Sequence, residues 1–112
     1  MGSSLPAAAI LVFTSLPDVD VARRIARDLV EERLAACVQI GAPVESLYHW
    51  RGRVETAREI PLAIKTRADA FPALERAIRE RHPYELPEIV AVSITDALPG
   101  YLAWIDAETR AA

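Results

Sequence analysis

The chain has 112 residues, 52% of them hydrophobic, and a formal net charge of −3. That length holds a single domain, residues 1–112, whose core needs no disulfide or metal to support it. The acidic balance excludes a phosphate-binding nucleic-acid surface, and the lone cysteine, Cys37, excludes an internal disulfide and suits a reducing compartment.

The apolar run Ala7 to Phe13 is too short to span a bilayer and lacks the charged flank of a secretory signal. Met1-Gly2 does not open a myristoylation motif, because Pro6 stands where that motif requires Ser or Thr. The expectation is a cytoplasmic protein with no membrane partner. Ile10-Leu11-Val12-Phe13 predicts a strand buried on both faces, from Ala8 to Thr14. Ser15-Leu16-Pro17-Asp18 then opens a helix, with Ser15 or Asp18 as its cap. Val21, Ile25 and Leu29 recur at helical spacing while Arg23, Arg24, Arg27, Asp28, Glu31 and Glu32 take the opposite face. The helix is predicted to reach about Arg33.

A second strand is predicted over Leu34 to Ile40, interrupted at Gly41-Ala42-Pro43 and resumed from Val44 to Trp50. Arg51-Gly52 signals a tight turn, and the chain returns through Arg53 to Thr66. Pro61 lies in that returning strand and lacks a backbone donor, so its nitrogen must face an edge or a bulge. Asp69 is the expected cap of a second helix, with Phe71, Leu74 and Ile78 as its apolar stripe and Pro83 beyond its end. Tyr84 to Pro87 reads as an extended linker, Glu88 to Thr95 as a last strand, and Pro99 to Thr109 as a short helix carrying Tyr101, Leu102, Trp104 and Ile105.

The order β-α-β-β-α-β-α predicts an α+β, ferredoxin-like βαββαβ sandwich with an extra C-terminal helix and an extended hairpin between its second and third strands. Helices on one face leave the other face of the sheet bare. A bare apolar face and an overlong hairpin both point to self-assembly.

Fold alone assigns no chemistry. One cysteine excludes a Cys-x-x-Cys metal carrier, and the glycines are too scattered to form a phosphate loop. The first strand offers only Phe13, and the third no aromatic, to an RNA-reading sheet. No nucleophile–base spacing appears, so no enzymatic activity and no organic cofactor are expected. The soft donors are Cys37, His49 and His82. Cys37 sits mid-strand, where a thiol serves as a small core hydrophobe or as a copper ligand with imidazole or further thiolates. His82 ends a helix, where it caps carbonyls or ligates, and sheet–helix packing is expected to bring it toward Cys37. Glu59, Lys65 and Glu88 read as charges on or beside strands, and Tyr48, Trp50 and Trp104 as large aromatics suited to interfaces.

Leu34-Ala35-Ala36-Cys37-Val38, Ser46-Leu47-Tyr48-His49-Trp50-Arg51-Gly52, Ile64-Lys65-Thr66, His82-Pro83-Tyr84-Glu85-Leu86-Pro87-Glu88-Ile89 and Tyr101-Leu102-Ala103-Trp104-Ile105 resemble, in this order, the CutA divalent-cation tolerance proteins. The resemblance runs from about Val12 to Arg110. It implies a tight, PII-like homotrimer whose hairpin arms pair with neighbouring subunits, linked to copper and divalent-cation tolerance and without an established reaction. Carried onto this chain, the signature positions are Cys37, Tyr48, Trp50, Glu59, Lys65, His82, Tyr84, Glu88 and Trp104. Cys37 and His82 are the expected metal donors by their chemistry, and the other seven are expected at a ligand cleft or interface. Two other readings stay open. One is a PII-like signalling trimer that holds a small anionic metabolite in inter-subunit clefts, faced by Lys65 and Arg67. The other is a purely structural trimer.

Overall fold

Strand β1 (Ala9–Leu16) lies at the centre of the molecule and pairs antiparallel with β4 (Arg53–Arg67) on one side and β5 (Val90–Ser93) on the other. The computed structural model describes residues 8–110, so the reading of Met1-Gly2 and Pro6 lies outside the described residues. Strand β2 (Cys37–Ile40) pairs with the C-terminal half of β4, giving the order β2-β4-β1-β5, and β3 (Val44–Trp50) pairs with the N-terminal half of β4. The ferredoxin-like expectation holds.

Side-chain alternation explains the two faces. Ile10, Val12, Thr14 and Leu16 of β1 and Ile60, Leu62, Ile64 and Thr66 of β4 are buried beneath α1 (Val19–Glu31) and α2 (Phe71–Arg81). From those helices Ala22, Ile25, Leu29, Leu74, Ala77 and Ile78 complete one core. Each of the buried Val, Leu and Ile side chains contributes about 1.5–3 kcal/mol by leaving water.

Asp18, not Ser15, caps α1, accepting the Val21 amide at 2.9 Å. The helix stops at Glu31, two residues short of expectation, because Arg33 takes a left-handed φ of 59°. That turn lets the amides of Leu34 and Ala35 both reach the Leu29 carbonyl, at 2.9 and 3.1 Å, and delays β2 to Cys37. Asp69 does not cap α2. It sits in a turn of 3₁₀ helix, Ala68–Ala70, and its carboxylate pairs with Arg67, while α2 starts after Ala70 without a side-chain cap. The last strand is shorter than expected: Val90–Ser93 pair in register with β1, and beyond them the Ile94 amide donates to the Ala9 carbonyl at 3.0 Å.

Pro61 is accommodated as its chemistry requires. The Pro61 carbonyl accepts from the Gly41 amide at 2.9 Å, so its donor-less nitrogen faces the same side, where residues 41–43 interrupt β2 and β3. A side chain at Gly41 would meet Pro61 Cγ at 2.8 Å, so the break also depends on glycine.

Beyond Ile60, β3 and β4 leave the body as a two-stranded arm closed by Arg51-Gly52. Both turn residues have positive φ, 52° and 80°, the geometry of a two-residue turn that follows strand twist. The molecule measures 57 × 25 × 23 Å, with a radius of gyration of 15.3 Å, against about 13 Å for a compact domain near this length. Val44, Leu47, Tyr48 and Val54 on the arm are exposed. An isolated two-stranded ribbon is marginal in water, so the arm lacks the third strand or packed face that sheets ordinarily require.

The far face of the sheet is not wholly bare. Helix α3 (Pro99–Glu108) crosses one end of it, burying Ile105 against Ala9 and Ala36 with Leu102 and Ile94 alongside. Arg67 on this face bonds to the Thr109 hydroxyl at 2.9 Å and the Thr109 carbonyl at 3.0 Å. The rest remains uncovered: Leu11 aligns with Val92 and Phe13 with Val90, and both valines are about half exposed, at 50% and 49%.

Candidate functional site

Where the arm leaves the body, it and the linker 82–89 enclose a cavity of about 780 Å³. Strand alternation puts Ser46, Tyr48 and Trp50 of β3 on one face, and all three line it. Glu59 of β4 enters from the arm's base, and Tyr84 and Glu88 from the linker. Five of the sequence-derived positions, Tyr48, Trp50, Glu59, Tyr84 and Glu88, therefore meet in one place.

His82 fixes the path of the linker. Its Nε2 lies 2.7 Å from the Ser15 carbonyl, which can only accept, so Nε2 carries the proton. Nδ1 then accepts the Tyr84 amide at 3.2 Å. The rings of His82 and Tyr84 lie 4.8 Å apart, and the Tyr84 hydroxyl donates to Glu59 Oε2 at 2.9 Å. The Tyr84 pKa is raised to about 12, first by burial and then by that hydrogen bond and the Glu59 and Tyr48 charges, so Tyr84 remains a donor at neutral pH.

Burial lowers the His82 pKa below its ordinary 6.5, against the opposing pull of the Ser15 carbonyl and the Glu59 charge. The folded protein therefore holds the His82 proton less well than the unfolded chain does. The stability from neutral His82 is complete above the unfolded value near 6.5 and declines as pH falls below it. Urea unfolding should show a loss of stability between about pH 7.5 and 5.5 that is smaller in His82→Gln. Equal pH slopes in parent and variant would contradict this role.

The other expected positions lie elsewhere. Lys65 Nζ sits 3.4 Å from the Tyr101 hydroxyl and 5.5 Å from the centre of that ring, and Tyr101 stacks on Trp104 at 5.4 Å. Cys37 lies across from Lys65 in the β2–β4 register, so Cys37, Lys65 and Trp104 belong to the α3 side of the sheet. Arg67 is not free to face an anion, because its guanidinium is committed to Thr109 and Asp69.

The expected meeting of Cys37 and His82 does not occur within the chain. Cys37 is level with Lys65 and Leu11, whereas His82 bonds to Ser15, four residues further along β1, or about 13 Å. Both His82 ring nitrogens are also engaged. Among the described residues no three of His, Cys, Asp and Glu are grouped to hold a metal. Cys37 is half-buried and His49 exposed.

Arg51 and Glu85 were not singled out from the sequence. The Arg51 guanidinium at the arm's turn grips both Glu85 oxygens at 2.9 Å and lies 5.3 Å over the Trp50 ring. The turn signal located Arg51, but nothing in spacing connects it to a linker residue 34 positions away.

The sequence model of the CutA1 divalent ion tolerance protein matches residues 10–108. The chain belongs to the CutA1 divalent ion tolerance family. A divalent-cation tolerance protein CutA from Thermus thermophilus is 44% identical over 99 residues, 88% of this chain and 96% of the relative. The mouse protein CutA is 38% identical over 106 residues, 95% of this chain, which spans 60% of that relative's length. The crystal structure of CutA1 from Oryza sativa superposes with a TM-score of 0.93 at 36% identity, covering 97% of this chain and all of that one. CutA relatives carry different locations in their names: one from Arabidopsis thaliana is chloroplastic, and a structure from Archaeoglobus fulgidus is described as periplasmic. Among the described residues no helix is long and apolar enough to cross a membrane.

Proposed function

We propose that the chain works as a non-catalytic homotrimer of the CutA type, serving divalent-cation tolerance in the cytoplasm and responding to copper or a related ion. The family match across residues 10–108 carries this reading. The partly uncovered sheet face around Leu11, Phe13, Val90 and Val92 and the two-stranded arm support assembly, because each is apolar surface or open strand edge that further copies of the chain would cover.

Metal is assigned to Cys37 alone among the soft donors expected from the sequence. His82 is held by its two hydrogen bonds, and His49 lies out on the arm. One thiolate is too few for copper(I), so the site requires Cys37 from more than one subunit. In the assembled protein, copper(I) affinity measured by competition with a chromogenic chelator should fall at least tenfold in Cys37→Ser, about 1.4 kcal/mol. His82→Ala should leave that affinity unchanged. Unchanged affinity in Cys37→Ser would sink the copper site and leave a structural trimer with an indirect metal response.

A further inference from the structure

We propose that residues 82–85 form a pH-released strap between the body and the arm, in which a proton on His82 detaches Tyr84 and the linker beyond it. The inference rests on contacts within one chain and uses neither the metal site nor the trimer of the proposed function.

Three linker residues hold three different places. His82 Nε2 donates to the Ser15 carbonyl of β1 at 2.7 Å, and the Tyr84 hydroxyl donates to Glu59 at the arm's base at 2.9 Å. Glu85 takes the Arg51 guanidinium at the arm's turn, also at 2.9 Å. None of these bonds uses Tyr48 or Trp50, so the arm face given to neighbouring subunits stays available. Pro83 fixes φ between His82 and Tyr84, which makes the segment a stiff piece that shifts as one.

The bond that joins these contacts depends on the number of protons on the ring. In neutral His82, Nδ1 accepts the Tyr84 amide at 3.2 Å. A second proton has to go to Nδ1, which then turns an N–H toward an N–H. His82 is only 8% exposed, so little water reaches the ring to replace the lost bond. The bond from Nε2 to Ser15 survives, because Nε2 keeps its proton. The released end is therefore Tyr84, not His82.

The charges around the ring extend the effect to the arm. Glu59 of β4 acts on His82 directly, and its charge favours the imidazolium. Arg81 of α2 is turned to Asp28 and Glu32 of α1, Glu85 is paired with Arg51, and Glu88 and Tyr48 line the cavity. The imidazolium thus competes with the Tyr84 hydroxyl for Glu59, and protonation loosens the second contact of the strap along with the first. Burial holds the His82 pKa below its ordinary 6.5, so the strap is closed at neutral pH and opens in acid.

Hydrogen exchange of the full chain, followed by NMR at pH 7.5 and 5.5 and corrected for the intrinsic pH dependence, tests this. Protection of the Tyr84 amide should fall at least tenfold at the lower pH, while the core amides of Val12 and Ile64 stay protected. In His82→Gln the side-chain amide supplies one acceptor and one donor at either pH, so Tyr84 protection should not change. Unchanged Tyr84 protection in the parent would overturn the inference without any variant. An equal fall in His82→Gln would assign the release to another group, and an equal fall in the core amides would make it global unfolding; either contradicts the strap. Sedimentation of the same samples separates it from assembly. A monomer with the His82-dependent response contradicts only the trimer, and a trimer without that response contradicts only the strap.

Discussion

Truncating Ile64 to alanine should lower the unfolding free energy by about 3 kcal/mol, within the 2–5 kcal/mol found for large-to-small changes at buried sites. Ile64 is fully buried, pairs with Val12 on one side and Val38 on the other, and lies in the core beneath α1 and α2. At this point β4 is held by partners on both edges, so its backbone resists closing the space. Urea unfolding at one fixed protein concentration measures the effect, because any coupling to assembly would make stability concentration-dependent. A loss below about 1 kcal/mol would show that this central layer is less tightly packed than the structure indicates.

Replacing Trp50 with alanine should weaken assembly by about 2 kcal/mol or more while leaving helix content unchanged. Trp50 is the last residue of β3, pairs only with Arg53, and shares its face with Tyr48, which is 42% exposed in the single chain. The distal arm contributes nothing to the core under α1 and α2, so its loss of contacts should not unfold the body. Size-exclusion chromatography with light scattering, run across a dilution series, reads the change. A variant that assembles and melts like its parent would remove Trp50 from the interface.

The parts of this fold that follow from local periodicity were legible in the sequence. Ile10-Leu11-Val12-Phe13 marked β1, Val21, Ile25 and Leu29 marked the buried stripe of α1, and Pro61 announced the break opposite it. The parts that depend on contacts between distant residues were not. Tyr101, Leu102, Trp104 and Ile105 make α3 apolar around much of its circumference, so spacing did not say which sheet face it would cover. Asp69 had the composition and position of a helix cap, but pairing with Arg67 took its carboxylate elsewhere. Within the candidate site, Tyr48, Trp50, Glu59, Tyr84 and Glu88 were grouped by family resemblance, and the chain brings them to one cavity. Cys37 and His82 were joined by donor chemistry and an expected sheet–helix contact, and strand register separates them.

The assembly of three chains is tested most directly by sedimentation equilibrium of the full chain at micromolar concentration. A single species with three times the protomer mass is expected, because paired arms and covered sheet faces would close every open edge within a ring. A stable monomer under those conditions would contradict the trimer and, with it, any metal site built from Cys37 of several subunits.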